Sequence, residues 1–379
     1  MKVLSRVLPA VAAGIAAAAF AAPAASASTT ARQGYSGGAG GAVFVQTDNT
    51  AGNAVVAYHR APDGTLTLAG DYPTGGLGGV LAGSVVDHLA SQGSLTYDPE
   101  HGLLLAVNAG SDTVSVFRVT GDGLELRQVL WSGGQFPVSV TVYGNHAYVL
   151  NALDGGALYG YRIAGGHLTP IPGSARSLGL DPSATPQFTN TPGQVAFTPD
   201  GSQVIVTTKM NGNDVDVFAV RPGGRLSAAP VVNSEPGTVP FAISFDRYGH
   251  VLIAEAGTNA LATFALSGGG VLTQLAVADT GQMATCWVAP AGGYFYVSNA
   301  GSGSVSGYAV GGSGQLSALG VAKTGAGTVD ASATHGFLYV QAGGAGIVDE
   351  FAVGAGGALS PIGSVTVAGA VGGEGIVAL

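Results

Sequence analysis

Only 9% of the 379 residues are Asp, Glu, Lys or Arg, against roughly 25% in an ordinary soluble domain, and the formal net charge is −9. That balance argues against nucleic acid or an anionic membrane as a partner, and an apolar content of 46% argues against a disordered chain. Past the N-terminus, Gly, Asn, Asp or Ser interrupts every apolar run short of the ~20 residues a spanning helix needs, so no membrane span is expected; what fits is a β-rich fold with many tight turns.

The first segment reads as an address. Lys2 and Arg6 precede a short apolar stretch over residues 7–22, and Ala25-Ser26-Ala27 fits a cleavage site before Ser28. Residues 1–27 are therefore expected to be a signal peptide that makes the protein secreted, residues 28–41 a flexible lead-in, and residues 42–379 a single domain. The one cysteine, Cys286, cannot form an intrachain disulfide and is expected to be a buried apolar residue.

From residue 42 onward the chain repeats itself. An aromatic recurs after an alternating apolar run, at Tyr58, Phe117, Tyr161, Phe218, Phe264, Tyr308 and Phe351. A Gly-containing turn follows each, then a leucine: Leu66, Leu124, Leu168, Leu226, Leu272, Leu316 and Leu359. The last three units are spaced by about 43 residues, within the range of propeller blades. The second unit shows the internal plan, with expected strands at 94–97, 103–108, 113–119 and 124–131 separated by Gly and Asp turns. No window between Pro and Gly residues is long enough for a helical pattern, so no helix is expected. The fold class is all-β: a seven-bladed β-propeller with four antiparallel strands per blade. Residues 42–46 match a second strand and residues 375–379 a first strand, so the two ends should complete one blade and close the ring.

One face of such a ring carries the loops entering each innermost strand and the turns after each second strand. Two of these loops are long: residues 70–93, with Asp87, His88 and Gln92, and residues 172–194, with Arg176, Asp181, Gln187 and Asn190. The residue ending the second strand is Gln46, Asn108, Asn151, Lys209, Glu255, Asn299 or Gln341. These side chains either hold nearby turns or form a polar channel mouth that binds a ligand, and Lys209 and Glu255, in adjacent blades, are placed for an ion pair. His101, His146, His250 and His335 fall in or near turns around the rim of the opposite face, too far apart to share an ion, so no metal and no cofactor are expected.

Residues 192–201 (PGQVAFTPDG), the strand over 204–208 and residues 213–218 (NDVDVF) resemble the propeller lactonase family, which includes bacterial 6-phosphogluconolactonases and fungal carboxymuconate-lactonising enzymes with YVTN-like repeats. Similar segments recur along nearly the whole of residues 42–379. The resemblance implies the same ring and, in the family, an Arg, a His and a Glu at the reacting centre. The aligned positions here are Gly193, Gln194 and Met210, and a family His-Pro-His is matched by Phe136-Pro137-Val138. Lactone opening needs a base or activated water and a donor for the oxyanion, which Gly, Gln and Met do not supply.

Three readings follow. The first is a non-catalytic propeller, expected to be monomeric, that binds a small molecule, a glycan or a protein on its long-loop face through residues such as Gln92, Asn108, Asn151, Asn190, Gln194 and Asn299. The second is a divergent lactone hydrolase or isomerase drawing on His88, Asp87, Asp181, Lys209 or Glu255. The third is a structural envelope protein.

Overall fold

The computed structural model describes residues 40–379; the expected signal segment and residues 28–39 of the lead-in lie outside the described residues. The described chain forms seven antiparallel sheets set in a ring. Blade 2 runs outwards from the axis as Leu95–Asp98, Leu103–Asn108, Thr113–Thr120 and Gly123–Trp131, within a residue or two of the strands expected from alternation. In blades 3 and 4 the outermost strand is broken into two pieces: His167–Pro170 with Arg176–Ser177, and Arg225–Leu226 with Val231–Ser234.

The ring closes as the sequence suggests. Ile376–Ala378 is the innermost strand of blade 1 and pairs antiparallel with Gly41–Gln46, Val43 opposite Ala378 and Val45 opposite Ile376. Val43, Phe44 and Val45 are fully buried, because a strand that is second in its sheet carries apolar side chains on both faces. Two tyrosines seal the seam between the last blade and the first: Tyr339 donates to the Gly64 carbonyl and Tyr58 to that of Thr366.

The recurring aromatics are the packing elements between blades. All seven are between 0 and 2% exposed, since each sits on a third strand with a neighbouring blade over its face. The second strand of blade 6 uses its own tyrosine in the way Tyr339 does, Tyr296 donating to the Gly357 carbonyl in blade 7. The turn into the third strand needs a left-handed residue in every blade that ends its second strand tightly. Asp112, Asn213 and Asn259 (φ 56, 51 and 55°) and Gly303 and Gly346 occupy that position, the residue types for which it is least costly.

The expectation of no helix is corrected in detail. Two single-turn helices, Gln187–Asn190 and Lys209–Gly212, and two 3-10 turns, Ala109–Ser111 and Ala355–Gly357, lie in loops. Four residues are too few to imprint a period on the sequence. No helix among the described residues is long and apolar enough to cross a membrane.

Deleting residues 375–379 removes the innermost strand of blade 1 and bares the edge of Gly41–Gln46. The expected outcome is loss of at least about 4 kcal/mol, read as a collapse of the thermal transition of the whole domain. A folded monomer with an unchanged transition contradicts the closure.

Candidate functional site

The loop over residues 70–93 does more than border the channel. Its last part, residues 87–94, runs into the middle of the ring, where no strand ladder is available, and its backbone is met by groups from the surrounding blades. The Gln92 carboxamide crosses to blade 6, Nε2 donating to the Val288 carbonyl at 3.0 Å and Oε1 accepting the Val288 N–H at 2.9 Å. Trp287 Nε1 donates to the Ser91 carbonyl at 2.6 Å, and Ser139 Oγ of blade 3 to that of Gln92 at 2.8 Å. From blade 4 the Gly193 carbonyl accepts the Gln92 N–H, and from the first blade's side Glu374 Oε1 accepts that of Gly93. The channel is plugged by its own longest loop.

Beside this plug, between blades 4, 5 and 6, lies a pocket of about 270 Å³. Its walls are apolar: Val85, Phe188, Met210, Phe241, Cys286 and Trp287, with Phe241 and Trp287 edge to face at 5.1 Å. Two side chains that carry charge near neutral pH, Asp87 and Lys209, line it as well. Lys209 is 1% exposed, and its Nζ donates to the Ala90 and Phe188 carbonyls at 2.6 and 2.7 Å and to Thr191 Oγ1 at 3.2 Å. Thr191 gives its own proton to the Gln187 carbonyl, so this network uses all three N–H bonds of the ammonium. Burial pulls the Lys209 pKa down to about 7, opposed by the charge of Asp87. Asp87 accepts the Leu89 and Ser91 N–H groups, one on each carboxylate oxygen. Desolvation pushes its pKa up. Cys286 is buried as expected, its thiol pushed up to about 12.

Of the residues singled out from sequence, Asp87, Lys209 and Gln92 are therefore brought together at the plug, and the others are not. The expected Lys209–Glu255 ion pair does not form, because the plug and the 187–190 turn hold the ammonium. Glu255 ends its strand at 3% exposure, one oxygen accepting from Thr258 and the other without a hydrogen-bond partner. His88 turns toward the 372 loop, its backbone N–H donating to the Gly372 carbonyl while its ring Nδ1 has no hydrogen-bond partner, and burial lowers its pKa. Asp181 is exposed and caps Ser183, and Asn190 donates to the Pro186 carbonyl within its own helical turn. Gln194 Oε1 accepts the Ile243 N–H, tying blade 4 to blade 5.

Three members of the amide ring make the hydrogen bonds of the turn-holding alternative, while Gln46 and Gln341 bond to backbone carbonyls of neighbouring blades and each keeps one buried amide oxygen without a hydrogen-bond partner. Asn108, Asn151 and Asn299 are fully buried. Asn108 donates to Thr113 and Ser115, Asn151 accepts from Ser132, and Asn299 accepts from Thr285, so none presents a free amide to the channel mouth. Lys209 lies two residues beyond its strand, Gln203–Thr207, at φ 53° on the first turn of a helix. The aromatic walls were missed. Phe241 and Trp287 stand near the start of the innermost strands of blades 5 and 6, Pro240–Phe245 and Thr285–Ala291.

On the blade 1 and 7 side of the plug sit further buried acids: Asp48 and Glu374, fully buried, and Asp330, 5% exposed. Asp48 accepts from Gln46 and from the Glu374 N–H, and its pKa is pushed by burial up to about 7. Asp330 and Glu374 share a hydrogen bond between their side chains and are raised as well, both chiefly by burial, with the charge of Asp87 adding to the rise at Asp330 and those of Asp330, Asp87 and Asp48 at Glu374. Among the described residues no group of three or more His, Cys, Asp or Glu side chains is arranged to hold a metal ion.

The sequence matches the family described as "Lactonase, 7-bladed beta-propeller" over residues 93–286, just over half of the chain. Among solved structures it is similar to a protein named as a 6-phosphogluconolactonase from Bacteroides uniformis, with TM-score 0.72 and 17% identity over 90% of this chain and 100% of that one. A periplasmic gluconolactonase from Pseudomonas aeruginosa gives TM-score 0.71 and 18% identity over 90% of this chain and 99% of that one. A virginiamycin B lyase from Staphylococcus aureus is more distant, at TM-score 0.53 and 11% identity over 76% of this chain and 88% of that one. No curated protein matches the sequence. At these identities the structural likeness carries the fold alone.

The buried acids set a pH dependence. A carboxyl whose pKa is raised on folding holds its proton more tightly in the native state, so its stabilising contribution is complete below pH ~4 and is lost as pH rises through the folded value. With Asp48 at about 7, and with Glu350, buried on the third strand of blade 7 where its Oε1 accepts the Leu66 N–H, also raised by burial to about 7, the loss falls between about pH 4 and 7. The melting temperature is expected to be higher at pH 5 than at pH 7.5, by at least about 3 °C, and Asp48→Asn should flatten the slope. A melting temperature that climbs from pH 5 to 7.5 contradicts this assignment.

Proposed function

The chain belongs to the seven-bladed β-propeller lactonase family, and from that premise we propose that it is an exported binding protein which holds a small ligand in the pocket beside the channel plug. The observation that carries the reading is the state of Lys209 and Asp87. These are the two side chains of the pocket that carry charge near neutral pH, and both are engaged in holding the plug: every ammonium N–H has a protein acceptor, and each carboxylate oxygen accepts a backbone N–H. A lactone hydrolase needs a donor aimed at the forming oxyanion and a base free to take a proton from water. A lysine with three internal acceptors offers no donor, and a carboxylate that anchors a loop is poorly placed to activate water.

The pocket suits retention instead. A ring buried against Trp287, Phe241 and Phe188 gains about 1.5–3 kcal/mol from apolar burial, with a further increment from edge-to-face packing. Met210 and Val85, 48% and 83% exposed, stand at its rim, and an unbranched methionine adapts to different ligand shapes.

A second reading has one observation in its favour. Burial brings the Lys209 pKa to about 7 beside a carboxylate, a pairing also found where lysines act as bases. In that case the chain is a lactonase that has moved its reacting groups from positions 193, 194 and 210 to Asp87 and Lys209.

One experiment separates the two. The protein is incubated with sugar and aromatic lactones, acid release is followed, and Trp287 emission is recorded in parallel. The binding reading expects changes in emission without turnover. Turnover that falls about 100-fold or more in Lys209→Met, with Met210→Leu unaffected, overturns it in favour of hydrolysis.

A further inference from the structure

The two ends of the propeller differ in charge. Strand ends and turns on the plug face carry Asp112, Asp154, Asp214, Glu235, Asp279 and Asp349, all exposed or half-buried. Against them, among the described residues, this face has the exposed Lys323 and, toward the flank of blade 3, Arg176, whose guanidinium is bonded to four backbone carbonyls. The strand ends and turns of the opposite face mix both signs, with Arg118, Arg162, Arg221, Arg225 and Arg247 set among Asp63, Asp98, Glu100, Asp122, Asp200 and Asp246. A ligand approaching the pocket therefore crosses a negative potential, which concentrates cations and slows anions.

Inside, the polar side chains that could meet an anion already have protein partners. Lys209 is saturated, the Ser84 hydroxyl donates to the Asp87 carbonyl, and Thr189 donates to the Pro186 carbonyl while accepting from Asn190. Transferring a phosphate or carboxylate from water into apolar walls without new hydrogen bonds costs several kcal/mol, more than one or two stacked rings return. A volume of about 270 Å³ exceeds the roughly 150 Å³ cavity that accommodates benzene and suits a ligand of two or three rings.

We propose that this pocket takes a ring-containing apolar ligand that is uncharged or positively charged, and that it rejects phosphorylated and carboxylated compounds. The inference rests on the reading of the pocket as a binding site and narrows it to a chemical class. It separates this chain from any role on a sugar phosphate.

Two fluorescent probes with one ring skeleton test it: the neutral N-phenyl-1-naphthylamine, and 1-anilinonaphthalene-8-sulfonate, which adds a single negative charge. The neutral probe is expected to bind about tenfold or more tightly at low salt, with the difference narrowing at high salt and in Val85→Lys, which places a cation at the exposed rim. Ala300→Leu, or Ala256→Leu should the first not fold, fills the pocket and should abolish binding of the neutral probe. Equal or tighter binding of the sulfonate that the filling variant abolishes overturns the ligand class while leaving the pocket a binding site. Binding of neither probe, or binding that the filling variant leaves untouched, overturns both.

Discussion

Peptide groups on the axis of a propeller have no neighbouring strand to bond, and at that depth they have little water either. Residues 87–94 occupy that position, and most of the polar chemistry of the channel follows from it. The carbonyls of Ala90, Ser91 and Gln92 are met by Lys209, Trp287 and Ser139, and the N–H groups of Leu89, Ser91 and Gly93 by Asp87, Asp87 and Glu374. Leaving one of these groups unmet would cost about 1–3 kcal/mol, so each of the polar side chains is held to its place by the backbone it serves. A conspicuous charged residue in the channel is in this way accounted for by architecture before any reaction is invoked.

That constraint also explains why the ionisable groups are so strongly perturbed. Asp48, Asp87, Asp330, Glu374 and Lys209 are all 5% exposed or less, and for each of them burial is the largest cause of the shift. Groups displaced in this way often mark a reacting centre, but a buried network that satisfies a loop produces the same displacement. What distinguishes the two is whether a lone pair or proton remains for a substrate. At Lys209 the proton given up by Thr191 to Gln187 leaves the hydroxyl oxygen as an acceptor, so in its charged form the ammonium spends its third N–H there.

The repeat was legible because it is written in pattern. Apolar alternation, an aromatic and a leucine at constant offset identify seven sheets, and the match of residues 42–46 to a second strand identifies the closing blade, all local signals. The site is different in kind. Gln92 bonds a residue 196 positions away, and Lys209 one 119 positions away, distances over which no periodicity carries information. The length of the 70–93 loop did signal importance, and Asp87, Gln92 and Lys209 were recognised as polar residues in the right region. Their common purpose was not visible, because a loop's path across a ring depends on which blades offer it partners. Nor was the fate of the amide ring, since an asparagine that holds a turn and one that binds a ligand have the same sequence context.

The plug also bears on what the scaffold can do chemically. A Cβ at Gly193 would come within 2.9 Å of both the Phe241 carbonyl oxygen and Thr207 Oγ1, and within 3.4 Å of Lys209 Cγ. Thr207 Oγ1 is itself bonded to that carbonyl, and Gly193 gives its own carbonyl to the Gln92 N–H of the plug. Any side chain at 193 would therefore push apart the blade 4–5 junction, the Lys209 stem and the segment that Lys209 supports. Glycine at this position and the plug along the axis are two sides of one packing solution. An arginine introduced at 193 would have to displace these contacts before its side chain could fit, because the space belongs to the loop that closes the channel.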